Sequence, residues 1–251
     1  MTLDRKPRVA LLIDADNSPA RQIDLILNEL STFGETSIRR AYGNWKKNEL
    51  KGWEDVLHEH AIRPMQQFDY SKGKNASDMA MVIDALALLY TDRPDAFGIV
   101  SSDADFTPLV MHLREKGAAV YGFGGKKTPE PFVNACSRFL FLDQLGANAA
   151  ADVSDDAPAA PLRLSTSQLK QDAKLVTLLR NAVQAAADDE GWARVGALGQ
   201  QIANQASFDP RNYGYSTLSK LLMATQLFEW ANEGKSDVAV RDKRLAKPPR
   251  G

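Results

Sequence analysis

Three segments of the chain place acidic side chains directly beyond apolar runs. Asp14 closes the run that starts at Arg8, and Asp103 and Asp105 follow Phe97–Val100 across Ser101-Ser102. Asp78 opens a nearly uncharged stretch that extends to Tyr90. If these acids meet, their like charges repel unless a cation neutralises them. Hard carboxylate oxygens select Mg²⁺ or Mn²⁺. Such an ion activates water and stabilises charge on phosphoryl oxygens. No His lies near these acids in sequence and the lone Cys136 is distant, so a histidine pair cannot supply the activation. The plainer alternative makes Asp14 and Asp103 helix N-caps and Asp78 a helix-start carboxylate. Three separate acidic element ends favour a shared pocket. Asp84 sits about 240° round the helix from Asp78, which gives it a structural role.

The elements needed to converge these acids are legible. Arg8–Ile13 reads as a buried strand, and Ser18-Pro19 as a cap and first-turn proline. Ile23, Ile26, Leu27, Leu30 and Phe33 follow at helical spacing and Gly34 stops that helix. Thr36–Tyr42, Ile62–Phe68, Phe97–Val100, Ala118–Phe123 and Phe139–Leu142 read as further strands. Helices are expected over Lys47–His60, over Asp78–Tyr90, which is apolar enough to be buried, and from Phe106 to Gly117. Alternating strands and helices predict an α/β fold, a parallel sheet with helices on both faces. Its strands' carboxyl ends share one edge, where ligands bind.

Basic groups flank that edge. Arg39, Arg40, Lys46 and Lys47 surround the second strand, Lys72 and Lys74 precede Asp78, and Lys126-Lys127 follow the fifth strand. They suit a polyanionic backbone, or are solvated loop residues. Tyr42 and Trp45 are candidates for base stacking or core packing. Tyr121–Gly125 (YGFGG) resembles a phosphate loop only weakly. His58 and His60 point apart, and His112 is an ordinary position. With 31 Lys/Arg against 32 Asp/Glu, the net charge of −1 excludes a strongly basic binder, so nucleic-acid contact must be local. One Cys excludes a disulfide framework and fits a cytoplasmic compartment. The amino-terminal apolar run is too short for a secretion signal, and no stretch suits a membrane span.

Gly146–Pro161 is rich in Ala, Asp and Pro and reads as a linker. Beyond it, helices are expected over Leu169–Ala187, Val195–Gln205 and Ser216–Thr225. Leu227–Trp230 and Val238–Val240 form a candidate hairpin, so this part outlines a small winged-helix-like domain. Residues 241–251 carry five Lys/Arg against one acid and read as a basic, disordered tail. The expected organisation is a domain over 1–145, a linker over 146–165, a second domain over 166–242 and a tail over 243–251.

The motifs LLIDADN, GKNASDMAMVIDA and IVSSDADFTPLV, in that order over residues 8–143, resemble the NYN domain, a relative of PIN nucleases, and more narrowly the bacterial LabA-like proteins. The resemblance implies a PIN-like fold and a metal-dependent ribonuclease site. By motif, Asp14, Asp78, Asp103 and Asp105 would be its catalytic acids and Mg²⁺/Mn²⁺ ligands, with Asn17 the accompanying amide. Ser102 departs from the family's usual Gly. Residues 168–242, with Gly191-Trp192, Leu198-Gly199, Phe208-Asp209, Tyr213-Gly214 and Leu227-Phe228, resemble the OST-HTH or LOTUS domain. That resemblance implies RNA or a protein as partner, with Arg194, Arg211, Tyr215 and Lys220 as surface candidates. Two other functions compete with a ribonuclease. One is a non-catalytic RNA-binding or adaptor protein. The other is a haloacid-dehalogenase-like phosphatase, whose spacing Asp14-Ala-Asp16 matches but which requires a Ser/Thr at the end of the second strand.

Overall fold

The computed structural model describes residues 5–68, 75–145, 163–232 and 237–245. The chain divides into two compact units, Met1–Gly146 and Ala147–Gly251. Lys72, Lys74, the linker segment 146–162 and the tail from 246 onward lie outside the described residues.

The first unit runs β1 (Arg8–Asp14), α1 (Ile23–Ser31), β2 (Glu35–Gly43), α2 (Glu54–Glu59), β3 (Arg63–Gln66), α3 (Ala76–Thr91), β4 (Ala96–Val100), α4 (Thr107–Glu115), β5 (Ala119–Gly124), α5 (Glu130–Ala135), β6 (Arg138–Phe141) and a helical turn, α6 (142–145). Its six strands pair in the order β3-β2-β1-β4-β5-β6, all parallel. β1 and β4 are buried throughout apart from the first residue of β1. That explains their unbroken apolar sequence, because helices cover both faces. Alternation along β1 sorts the two layers. Val9, Leu11 and Ile13 meet Ile23, Ile26, Leu30, Leu50 and Trp53 on the α1/α2 side. Ala10 and Leu12 meet Met81, Ala85, Leu88, Leu109, Val110 and Phe132 on the α3/α4/α5 side. Asp14 continues the second set and therefore projects towards α3.

Two expectations need correction here. The helix anticipated over 47–60 is a 3-10 segment, Asn48–Trp53, followed by the short α2. Ser18 does not cap the next helix. Its hydroxyl instead donates to the Val100 carbonyl at 3.4 Å, which ties the β1 loop to the end of β4.

The second unit contains α7 (Thr166–Gln171), α8 (Ala173–Ala186), β7 (Ala193–Arg194), α9 (Val195–Gln205), α10 (Leu218–Thr225), β8 (Phe228–Ala231) and β9 (Ala239–Asp242). The strands form an antiparallel sheet in the order β7-β9-β8. The helix expected over 169–187 is two helices. Asp172, with ψ 92°, leaves helical geometry and its carboxylate accepts from the Leu175 amide, so it ends one helix and caps the next. Leu169, Leu179, Val183, Leu198, Ile202, Leu221, Phe228 and Val240 form the core. The tail begins later than its composition suggests. Arg241 and Asp242 lie in β9, Arg241 pairs with Glu229 at 2.6 Å, and Arg244 pairs with Asp242 at 2.8 Å. No helix among the described residues is long and apolar enough to cross a membrane.

Candidate active site and nucleic-acid surfaces

Strand order reverses between β1 and β4, so their carboxyl ends diverge into the loops that open a crevice. Asp14 stands at the end of β1, Ser101, Asp103 and Asp105 follow β4, and α3 starts on the same edge because it returns from the end of β3. Asp14 is 1% exposed. It accepts from the Asn17 amide at 3.0 and 3.3 Å and from the Ser101 hydroxyl at 2.9 Å. Burial pushes its carboxyl above the usual carboxylate range, against the opposing pull of the Asn17 and Ser101 hydrogen bonds. Asp103 uses one oxygen to accept from the Asp105 amide at 2.9 Å, and its own amide donates to Ser101 Oγ at 3.1 Å. The plain N-cap role therefore holds for Asp103 and does not exclude another.

Asp78 is half-buried in the first turn of α3. Its carboxyl is pushed up to about 6, first by burial and then by the charges of Asp14, Asp103, Asp16 and Asp105. These five acids thus share one electrostatic environment. Asp16 is the member that sequence reasoning gave no place at a metal site. It accepts from Lys47 Nζ at 3.2 Å and from Ser77 Oγ at 2.8 Å. Ser77 and Ser101 were likewise not singled out as site residues, and Lys47 was read as a rim cation for phosphate rather than as a partner of Asp16. Their positions flanking the acidic motifs were visible, but hydroxyls next to carboxylates carry no distinctive spacing. Among the described residues, no group of three or more His, Cys, Asp or Glu is arranged as a ready metal site. Asp14, Asp16 and Asp103 instead point oxygens at the donors named above.

The basic rim is thinner than the sequence suggests. Arg39 donates to the Thr36 and His60 carbonyls, at 3.1 and 2.8 Å. Arg40 binds Asp84, which also accepts from the Tyr42 hydroxyl. Both guanidiniums are engaged within the fold. Asp84 has the structural role its helical angle predicts. Tyr42 is fully buried, so it is not a stacking residue. Trp45 packs on the core of the α1/α2 side, and its indole nitrogen has no hydrogen-bond partner among the described residues. Lys46 is exposed and lies 5.1 Å over the Phe68 ring. Lys126 is exposed, with its amide held by Asp143 at 2.8 Å. Asn17 is exposed, but its amide nitrogen is committed to Asp14.

Close packing, not phosphate, accounts for the YGFGG segment. A Cβ on Gly124 would lie 2.7 Å from the Ser101 carbonyl oxygen, and one on Gly122 would lie 2.4 Å from the Phe139 ring. Ser102 fits the turn without crowding, since its hydroxyl accepts from the Gly125 amide at 2.9 Å. Cys136 is buried and its thiol is pushed up to about 12, so it offers no nucleophile. β2 ends at Tyr42-Gly43 with no Ser or Thr, which removes the phosphatase reading's second requirement.

In the second unit, Arg194 is exposed on β7, and Lys220 is exposed on α10 with Nζ 2.9 Å from Ser216 Oγ. Arg211 and Tyr215 do not remain free. Arg211 grips the buried Asp209 through two nitrogens, at 2.8 and 2.9 Å. The Tyr215 hydroxyl donates to the Leu164 carbonyl at 2.7 Å.

Comparison with known proteins finds two similar proteins and two matching domain families. An uncharacterized protein of Methanocaldococcus jannaschii, MJ0482, is 31% identical over 123 residues, covering 47% of this chain and 48% of that protein. The chain thus spans about half the length of the curated relative it matches. A Vibrio parahaemolyticus protein of unknown function, VPA0982, is 19% identical in its crystal structure, with a TM-score of 0.47, over 56% of this chain and 96% of that one. The model of the OST-HTH/LOTUS domain, a class of domain that binds RNA, matches residues 167–236. The NYN domain model matches residues 8–143, more than half of the chain, and with its PIN-like parallel sheet the chain belongs to the NYN family.

Proposed function

We propose that the chain is a ribonuclease that hydrolyses RNA phosphodiesters with Mg²⁺ or Mn²⁺ in the crevice between β1 and β4. The supporting observation is the crevice's unbalanced charge. Burial, and after it the charges of Asp14, Asp103, Asp16 and Asp105, push Asp78 up to about 6, and Lys47 pairs with Asp16. Carboxylates are the right donors for a hard divalent ion. Asp14, Asp78 and Asp103 would hold it, with Asp105 beside them. When bound, such an ion lowers the pKa of water and offsets charge on the phosphoryl oxygens. The chain's own groups position these acids. Asn17 and Ser101 fix the Asp14 carboxylate by donating to it, and Ser101 also holds the loop that carries Asp103. Lys46 and Lys126 are the exposed cations that would meet flanking phosphates, and Arg194 and Lys220 of the OST-HTH domain would add affinity.

The test is incubation of labelled single-stranded and structured RNA with Mn²⁺, comparing the natural chain with Asp14→Asn. Cleavage by the natural chain, lost in EDTA and in the variant, is the expected result. Binding without cleavage would leave an RNA-binding adaptor, and cleavage that persists in EDTA would refute the metal's role.

A further inference from the structure

Helix α3 buries a face that its composition does not select. Met81, Ala85, Leu88 and Leu89 pack on the sheet, and Ser77 is buried as well. Yet Met79 is 60% exposed, Ile83 66% and Tyr90 57%. A helix that is apolar all round gains about as much from burying one side as another, and here large side chains stay in water while Ser77 and Ala85 are covered. What distinguishes the buried side is Asp84, the only charged residue between Met79 and Tyr90. One of its carboxylate oxygens accepts from the Arg40 guanidinium and the other from the Tyr42 hydroxyl. Tyr42 is fully buried, and the Arg40 and Asp84 side chains are only 21% and 18% exposed. Any other rotation of α3 would leave a buried hydroxyl and a largely buried guanidinium without their partner, a heavy penalty, while exchanging one apolar face for another gains little.

We propose that Asp84 is a positioning residue for the acidic crevice: its hold on Arg40 and Tyr42 selects the face of α3 that meets the sheet and so brings Asp78 to Asp14 and Asp103. Tyr42 is the β2 residue paired with Asp14 of β1, so the clamp sits level with the first crevice acid, on the neighbouring strand. Asp78 precedes Asp84 on the same helix, about 9 Å away along its axis and about 240° round it. A carboxylate held at 84 therefore fixes both the height and the heading of the one at 78. Resetting the helix by a single residue would turn Asp78 by about 100° and slide it about 1.5 Å, away from the other acids. At the first turn Ser77 Oγ donates to Asp16 at 2.8 Å and holds the same setting. This role rests on the ribonuclease reading for what Asp78 does in the crevice, and on the hydrogen bonds alone for where α3 sits.

Nitroxide labels on Met79→Cys and Lys51→Cys of the full chain report this setting by double electron–electron resonance, without metal. Both positions are exposed, and Cys136 is buried. Replacing the whole clamp by apolar groups, Arg40→Leu with Tyr42→Phe and Asp84→Leu, should leave thermal stability equal or higher, because well-packed apolar groups substitute for a buried ion pair without loss. The label distance should nonetheless split or shift by about 5 Å, since a 100° turn carries a point on the helix surface about 8 Å. Cleavage of labelled RNA with Mn²⁺ should fall about 10-fold or more in kcat with KM little changed, as misplacing a reacting group by an ångström or more does. Should the triple variant not fold, the near-isosteric pair Tyr42→Phe with Asp84→Asn reads the same quantities. A label distance identical to the natural chain's in the folded variant would overturn the proposal, because packing at Ala85 would then seat the helix unaided. So would a displaced helix in a variant that cleaves as well as the natural chain. A natural chain that does not cleave counts against the ribonuclease reading, and the label distances then decide the positioning role on their own.

Discussion

Replacing Asp78 by Asn should stabilise the first unit, and only where the carboxyl is ionised. The Asp78 pKa is about 6 against 3.8 for an unstrained Asp, so the folded state holds the proton more tightly than the unfolded one. Stability contributed by this group is then greatest below about pH 4 and is lost as pH rises through 6. A shift of two units corresponds to about 3 kcal/mol if taken whole. Asp78 is half-buried, and solvent screening reduces the figure to about 1–2 kcal/mol. Asn resembles the protonated acid in shape and charge. The variant should therefore match the natural chain near pH 3 and exceed it by about 1–2 kcal/mol at pH 8. Urea unfolding followed by tryptophan fluorescence measures this in a Trp192→Phe, Trp230→Phe background, because Trp45 and Trp53 then report on the first unit alone. Mn²⁺ provides a second reading. Ligand linkage should stabilise the natural chain at pH 8 and do less for Asp78→Asn. An Asn variant equally stable at pH 8, or stabilised alike at both pH values, would refute the claim that crowded carboxylates strain this crevice.

Four other outcomes are expected. Asp14→Asn should lower RNA cleavage by orders of magnitude while RNA affinity, read by filter binding, persists or tightens, because negative charge near the phosphates is lost. Ser101→Ala should cost about 1–3 kcal/mol in urea unfolding, since it leaves the buried Asp14 with one donor fewer, and should reduce cleavage of labelled RNA. Deleting residues 166–251 should weaken RNA binding and flatten its salt dependence, measured by fluorescence anisotropy across a salt series. Unchanged binding there would point to a protein partner. Limited proteolysis read by mass spectrometry should cut first within 146–165, and cleavage on both flanks with that segment intact would count against a linker.

Much of the fold was legible because burial writes itself into the sequence. β1 and β4 are apolar without interruption since helices cover both their faces, and Asp14, Asp78 and Asp103 stand out against such runs. The order of the six strands was not written there. Parallel strands are joined by crossovers of similar length, so chain order does not tell β4 to lie beside β1. The two corrected helices failed for local reasons. Asp172 is as good a cap as it is a tolerable helix residue, and only packing decided between them. In the segment Asn48–Trp53, a 3-10 turn buries Leu50 and Trp53 as a regular helix would.

The rim is thinner than its basic residues suggest for a deeper reason. Counting basic residues near an acidic motif assumes that each is available to a ligand, yet Arg39, Arg40 and Arg211 are held by backbone carbonyls or by acids of their own unit. A guanidinium offers five donors, so a carboxylate or carbonyl nearby in the fold takes it readily. Lysines outside strands, such as Lys46 and Lys126, remain exposed because their single charged group reaches water with little constraint. Helix α3 shows the converse error. Its composition asks for burial on every side, and the fold leaves Met79, Ile83 and Tyr90 exposed. For a chain with balanced net charge, the acids that the fold crowds at one end of α3 indicate function better than the basic residues it already satisfies.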